Sequence, residues 1–142
     1  MRGYWQQPEA TAQAIVDGWL HTGDIGRFDH EGYLYIVDRK KDMIVSGGEN
    51  VASKEVEEVL RLHPTVKDCA VIGLADDKWG ELLCAVLQLK GEVSDQELGD
   101  HCRTHLASYK TPKRWVRVAA LPVNASGKID KPALRLTQAA IT

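Results

Sequence analysis

Only three cysteines occur, Cys69, Cys84 and Cys102, and they stand far apart, without CxxC spacing and without histidines at zinc-site distances. An odd, scattered set excludes a disulfide framework and a structural zinc centre, so reduced and mostly buried thiols are expected, as suits a cytoplasmic protein. No apolar run approaches the roughly 18 residues that suggest a membrane span, and no basic start followed by an apolar stretch opens the chain. An integral membrane segment is therefore not expected. The net charge is only −2, which removes the electrostatic case for nucleic acid or an anionic membrane as the main partner. Repeats and low-complexity segments are also missing.

What remains is an ordinary globular composition, 44% hydrophobic and 27% charged, which argues against overall disorder. Its 142 residues fit one domain, or one domain plus a piece of another. The central stretch, Asp38 to Asn50, reads DRKKDMIVSGGEN. A charged crossover leads into a short strand from Met43 to Ser46 and then into a tight turn at Gly47 and Gly48, where positive φ is tolerated.

Before it, Pro8 opens a short helix that Gly18 would end, and a hairpin runs from about Ile25 to Val37 with Phe28, Tyr33 and Tyr35 on its core side. After it, Ser53 caps a helix to about His63, with Val56, Val59 and Leu60 on the buried face and Glu55, Glu57 and Glu58 near its positive end. Val66–Gly73 and Leu82–Leu89 form an antiparallel pair across the turn ADDKWGE. Ser94 and Glu97 make a capping box for a helix to about Leu106. A strand near Trp115 to Val118, the loop PVNASGKID and a last helix from Lys131 complete the order. The expected class is α+β: a small mixed, mainly antiparallel sheet packed with two or three helices, preceded by the hairpin.

Several residues are candidates for chemistry. Asp24, in Thr22-Gly23-Asp24, can accept from the two hydroxyls of a ribose or bond its own turn. Arg39, from the residues alone, is a solvated charge or a salt bridge to Asp38 or Asp42. Lys128 follows a glycine, but Pro122 stands where GxxxxGK[ST] needs glycine and Ile129 where it needs a hydroxyl, so a Walker loop is rejected. Trp79 and Tyr109, with Lys110, Lys113 and Arg114 near the second, either stack a base beside phosphate-binding lysines or pack in the core. His101 and His105 share a helix face without the acidic partner of HExxH, which favours two solvated imidazoles over a metal site.

TGD, DRKK…GGEN and NASGK, in that order and spacing, resemble the superfamily of adenylate-forming enzymes, which includes acyl-CoA synthetases, peptide-synthetase adenylation domains and beetle luciferases. The resemblance covers essentially the whole chain. It implies that residues 1–38 are the tail of a large amino-terminal core, 39–42 a hinge and 43–142 a carboxy-terminal lid. It further implies that Asp24 and Arg39 contact the ribose of ATP, and that Lys41, with Lys40 as nearest competitor, is the residue about which the lid rotates. Lys128 would reach the substrate carboxylate and α-phosphate and stabilise charge as pyrophosphate leaves. Gly47, Gly48 and Glu49 would line the pantetheine path of CoA, and Trp79, Tyr109 and Lys113 would hold its nucleotide. Val45 stands where luciferases and coumarate-type ligases carry a lysine, so a lysine-assisted thioester step is not implied.

The expected function is thus the lid part of an ATP-dependent acyl-CoA synthetase, an acid–thiol ligase acting on a carboxylic acid such as a fatty acid. ATP and CoA are its substrates, magnesium accompanies ATP on the core, and complete activity without the core is not expected. Two alternatives stay open: an adenylation-domain lid that delivers to a carrier protein, and a stand-alone nucleotide- or CoA-binding module without catalysis.

Overall fold

Residues 1–140 are described in the computed structural model, which divides into two units, Met1–Lys41 and a second beginning at Asp42. In the first, Pro8 opens helix α1 (Pro8–Ala14), whose Thr11 hydroxyl donates back to the Gln7 carbonyl at 2.8 Å. The helix does not continue to Gly18. Ile15 and Val16, β-branched and readily extended, form strand β1 (Ile15–Val16) and pair with β2 (Trp19–Leu20) across Asp17 and Gly18, both at positive φ.

Strands β3 (Asp24–Phe28) and β4 (Leu34–Arg39) form the expected hairpin, its turn held by Asp29, whose carboxylate accepts from the Glu31 and Tyr33 amides at 2.9 Å. Phe28, Tyr33 and Tyr35, in a segment too small to bury them by itself, are 71%, 64% and 48% exposed. A two-stranded ribbon has no second layer in which to bury them.

The second unit holds a five-stranded sheet. Strand β5 (Ile44–Ser46) turns through Gly47 and Gly48, with φ of 60° and 83°, into β6 (Glu49–Val51). Helix α2 (Ser53–Arg61) follows. Its N-cap is Ala52, not Ser53: Ser53 is already helical and buried, and its hydroxyl is engaged elsewhere. The helix stops two residues short of His63, where the Leu62 and His63 amides bond back to the Val59 and Leu60 carbonyls and tighten the last turn.

Strands β7 (Val66–Asp76) and β8 (Gly80–Leu89) pair antiparallel over their whole length. Helix α3 (Asp95–His105) starts at Ser94, whose hydroxyl accepts the Glu97 amide at 3.1 Å, as the capping pattern requires. Strand β9 (Arg114–Arg117) then returns parallel to β8, and α4 (Lys131–Ala139) closes the described chain. The sheet order is β6-β5-β8-β7, with β9 also on β8. The α+β class is as expected.

Both faces of the sheet are buried, and the two-residue period of β7 and β8 sorts their side chains between them. Cys69, Val71, Leu83, Ala85 and Leu87 face α2 and α3 with Val56, Leu60, Leu98 and Cys102. Ala70, Ile72, Leu74, Cys84 and Val86 face α4 through Leu134. The outer edge of β7 is covered by side chains of α2: Glu57 accepts the Val71 amide at 2.8 Å and Arg61 donates to the Cys69 carbonyl at 3.0 Å. A helix thereby stands in for a missing strand and blunts an edge open to aggregation.

Candidate functional site

The motif residues fall into three places. In the first unit, Asp24 and Arg39 face each other across the β3–β4 ladder and form an ion pair of 2.9 Å. Arg39 is thus bridged to Asp24. Pairing in register is what brings the two together, and it holds the guanidinium beside the carboxylate without burying either. Beside them Lys40 donates its amide to the Gly23 carbonyl at 2.8 Å, and Gly23, Arg39, Lys40 and Lys41 line an open hollow of about 470 Å³. Lys41 is exposed, within a 3-10 turn over Lys40–Asp42.

The second place surrounds the glycine turn. Gly47 donates its amide to the Trp79 carbonyl at 2.8 Å. A Cβ at Gly47 would come within 3.0 Å of the indole, so glycine is required here both for its φ and for closeness. The Lys113 ammonium lies 3.0 Å from the centroid of the same indole, a cation–π contact. Trp79 is set by Asp76, whose carboxylate accepts the Lys78 and Trp79 amides at 3.0 and 2.9 Å.

Tyr109 lies in a short turn anchored by Lys110, which donates to both oxygens of Glu55 at 2.7 Å. Ser46, Trp79, Ser108, Tyr109 and Lys113 together line a hollow of about 270 Å³. Neither aromatic ring belongs to the core, which removes that alternative. Gly48 and Glu49 are exposed at the turn, and Val45 presents its side chain to solvent beside them. A larger hollow of about 580 Å³, around Val93, Ser94 and Arg117, gathers none of the motif residues.

The third place is the Lys128 loop. Asn124 organises it: its side-chain oxygen accepts from the Ser126 amide, the Ser126 hydroxyl and the Lys128 amide at 3.0, 2.7 and 3.1 Å. Gly127, at φ 75°, makes the turn, and Val123 bridges Ile129. Asp130 ends the loop by donating its amide to the Pro122 carbonyl and capping α4 at the Ala133 amide. The Lys128 ammonium is exposed and has no partner among the described residues. A braced backbone carrying an uncommitted cation is suited to an incoming anion.

His105 is exposed as expected, whereas His101 is less solvated. His101 Nε2 lies 2.8 Å from the Val59 carbonyl, and the rings of His63, His101 and His105 follow one another at 5.1 and 4.8 Å. They tie α3 to α2, and no group of three or more His, Cys, Asp or Glu among the described residues is placed to hold a metal. The cysteines are free and buried, and burial pushes the Cys69 thiol up to about 12 and those of Cys84 and Cys102 to about 11. Such thiols are inert at neutral pH.

Sequence patterning did not single out Lys131, Arg135 or Glu81, whose carboxylate accepts the Val45 amide at 2.7 Å beside the glycine turn. The sequence places Glu57 at the polar start of α2, whereas it turns inward, to 7% exposure. Its i+4 relation to Arg61 was the available signal.

Residues 55–128 match the family described as AMP-binding enzyme C-terminal domain. The chain belongs to that family. Its similarity to curated proteins extends further along the sequence. A long-chain-fatty-acid–CoA ligase of Mycobacterium tuberculosis is 52% identical over 136 residues, which is 95% of this chain and 27% of that protein. A 2-succinylbenzoate–CoA ligase of Bacillus cereus is 47% identical over 133 residues, 94% of this chain and 28% of the relative. Among solved structures, the o-succinylbenzoate CoA synthetase of Bacillus subtilis, in complex with its acyl-adenylate intermediate, superposes with a TM-score of 0.88 at 43% identity. That comparison covers 97% of this chain and 28% of the synthetase chain. The AMP-binding C-terminal domain described here therefore spans about a quarter of the length of the relatives it matches.

Proposed function

We propose that this chain is the lid of an ATP-dependent acid–thiol ligase, in which a carboxylic acid is activated as an acyl-adenylate and passed to CoA. The observation that carries this reading is the Lys128 loop: a rigid, exposed turn that presents one unpartnered ammonium. In the first half-reaction Lys128 meets the substrate carboxylate and the α-phosphate, and its charge offsets the charge that develops as pyrophosphate departs. Asp24 and Arg39, paired across their hairpin, take the ribose side of the nucleotide.

In the second half-reaction the glycine turn gives the pantetheine arm a path free of side chains, with Glu49 at its margin. The hollow around Trp79, Tyr109 and Lys113 takes the CoA nucleotide, with the rings for the base and lysine for phosphate. Lys41, between the two units, is the pivot that exchanges one set of residues for the other. Magnesium accompanies ATP on the core. A fatty acid is our first choice of acid, supported by the mycobacterial relative's name, while the Bacillus relatives' names keep aryl acids in view.

The test joins this chain to the amino-terminal core of the mycobacterial relative in place of that protein's own matching segment. Lys128→Ala is expected to reduce ATP–pyrophosphate exchange by about 10²-fold or more, while thioester formation from a supplied acyl-adenylate changes far less. Undiminished exchange in that variant would remove the assignment. Acylation of a carrier protein in place of CoA would redirect the second step alone.

A further inference from the structure

Lys131 stands three residues beyond Lys128, at the start of α4, yet its ammonium does not reach into solvent. It donates to Glu57 Oε1 and to Ser53 Oγ, both at 2.7 Å. The carboxylate and ammonium side chains are only 9% and 14% exposed. Because the same Glu57 oxygen accepts the Val71 amide, one carboxylate fastens α4 to α2 and to the rim of β7 together. Four residues further on, Arg135 donates to Asp42 Oδ1 at 2.9 Å. Asp42 is the chain neighbour of Lys41 and the first residue of the second unit.

α4 is thus gripped on successive turns of one face, first by α2 and then by the opening residue of its unit. Its N-cap, Asp130, is also the last residue of the Lys128 loop and bonds back to Pro122. Whatever fixes α4 fixes that loop.

We propose that Lys131 and Arg135 are positioning residues for Lys128: their two ion pairs hold α4 in one place along β7, and α4, through Asp130, sets the direction in which the loop offers its ammonium. The inference rests on the role of Lys128 given above and adds the residues that determine its place. Apolar packing through Leu134 is non-directional and tolerates sliding, whereas ion pairs out of water have a narrow geometry. A cation that must meet charge developing in a transition state loses on the order of 10²-fold in rate for a displacement of about 1 Å. Removing Lys131 leaves Glu57 with the Val71 amide and with Arg61 at 3.6 Å, so the fold has a means to survive the change.

The experiment uses the chain joined to the mycobacterial relative's core and reads the two half-reactions separately. Lys131→Met is expected to lower ATP–pyrophosphate exchange by about ten-fold or more while thioester formation from supplied acyl-adenylate stays within about two-fold, and Lys131→Arg restores most of the exchange. The exchanged pair Asp42→Arg with Arg135→Asp should likewise recover activity that either change alone removes. Equal losses in both half-reactions mean a merely structural role and overturn the proposal, as does no loss, in both cases while Lys128→Ala remains severe.

If Lys128→Ala itself leaves exchange intact, the functional reading fails instead. A second measurement needs no core. In the 142-residue chain, hydrogen exchange at the Gly127, Lys128 and Asp130 amides should accelerate in Lys131→Met while β7 and β8 keep their protection. Unchanged protection of the loop overturns the proposal.

Discussion

At the scale of single residues, the clearest contrast is between groups withdrawn from water and groups left in it. Cys69, Cys84 and Cys102 are withdrawn, and burial raises all three thiols, to about 12, 11 and 11 from an ordinary value of 9.0. A thiol whose pKa is higher in the folded protein contributes stability fully below pH 9; that stability is lost as pH rises from there toward 11 to 12, because the unfolded chain ionises first. The urea midpoint should therefore fall between pH 8.5 and pH 10.5, and fall less in a variant with all three cysteines replaced by alanine. An equal fall in both proteins would refute the assignment. At pH 8 a thiol reagent should label the chain only after unfolding. The sequence supported buried, reduced thiols from spacing alone, whereas Glu57 and Lys131 could not be read that way, since two charges that neutralise each other out of water leave no periodic mark.

Elements were legible where a local pattern and a local bond coincide. Ser94 and Glu97 announce α3, and the predicted hydroxyl-to-amide bond is present. Ser94→Ala should cost about 1 kcal/mol of stability, measured by chemical denaturation, because the Glu97 amide loses its acceptor. A cost near zero would mean that solvent replaces the cap. Ser53 sits in an equally plausible sequence context and is no cap at all, because its hydroxyl receives a lysine from α4, 78 positions away in the chain. The long pair β7–β8 is legible in two apolar runs joined by the polar turn ADDKWGE, and it is longer than expected at the turn end. Strand β6 was not foreseen, since Glu-Asn-Val is too short and too polar to signal a strand; it exists because Gly47 and Gly48 fold it back on β5. Helix α1 ends early for a similar reason, as an Asp-Gly turn claims the residues that would have extended it.

At the scale of the whole molecule, the α+β class with a mixed sheet could be inferred from element order, but not that β9 is the parallel strand, because nothing local distinguishes a parallel neighbour from an antiparallel one. One long edge of β8 is shared end to end: Ser46 of β5 meets it at Gly80, and β9 takes it from Cys84 to Leu87. These two attachments and the β7–β8 pair differ in the length of chain that each must close. The β7–β8 hairpin closes a loop of a few residues, whereas β9 reaches β8 only after α3 has been laid down. Loop-closure entropy therefore orders the assembly in time, with the hairpin early and β9 late. Substitutions such as Val71→Ala should slow refolding, while Val116→Ala should mainly hasten unfolding, as stopped-flow kinetics in urea would show. The reverse assignment would exclude this order. A chain still emerging from the ribosome would then hold a finished hairpin with the Cys84–Leu87 stretch of β8 bare on one side, and only the arrival of residues 114–117 would close it.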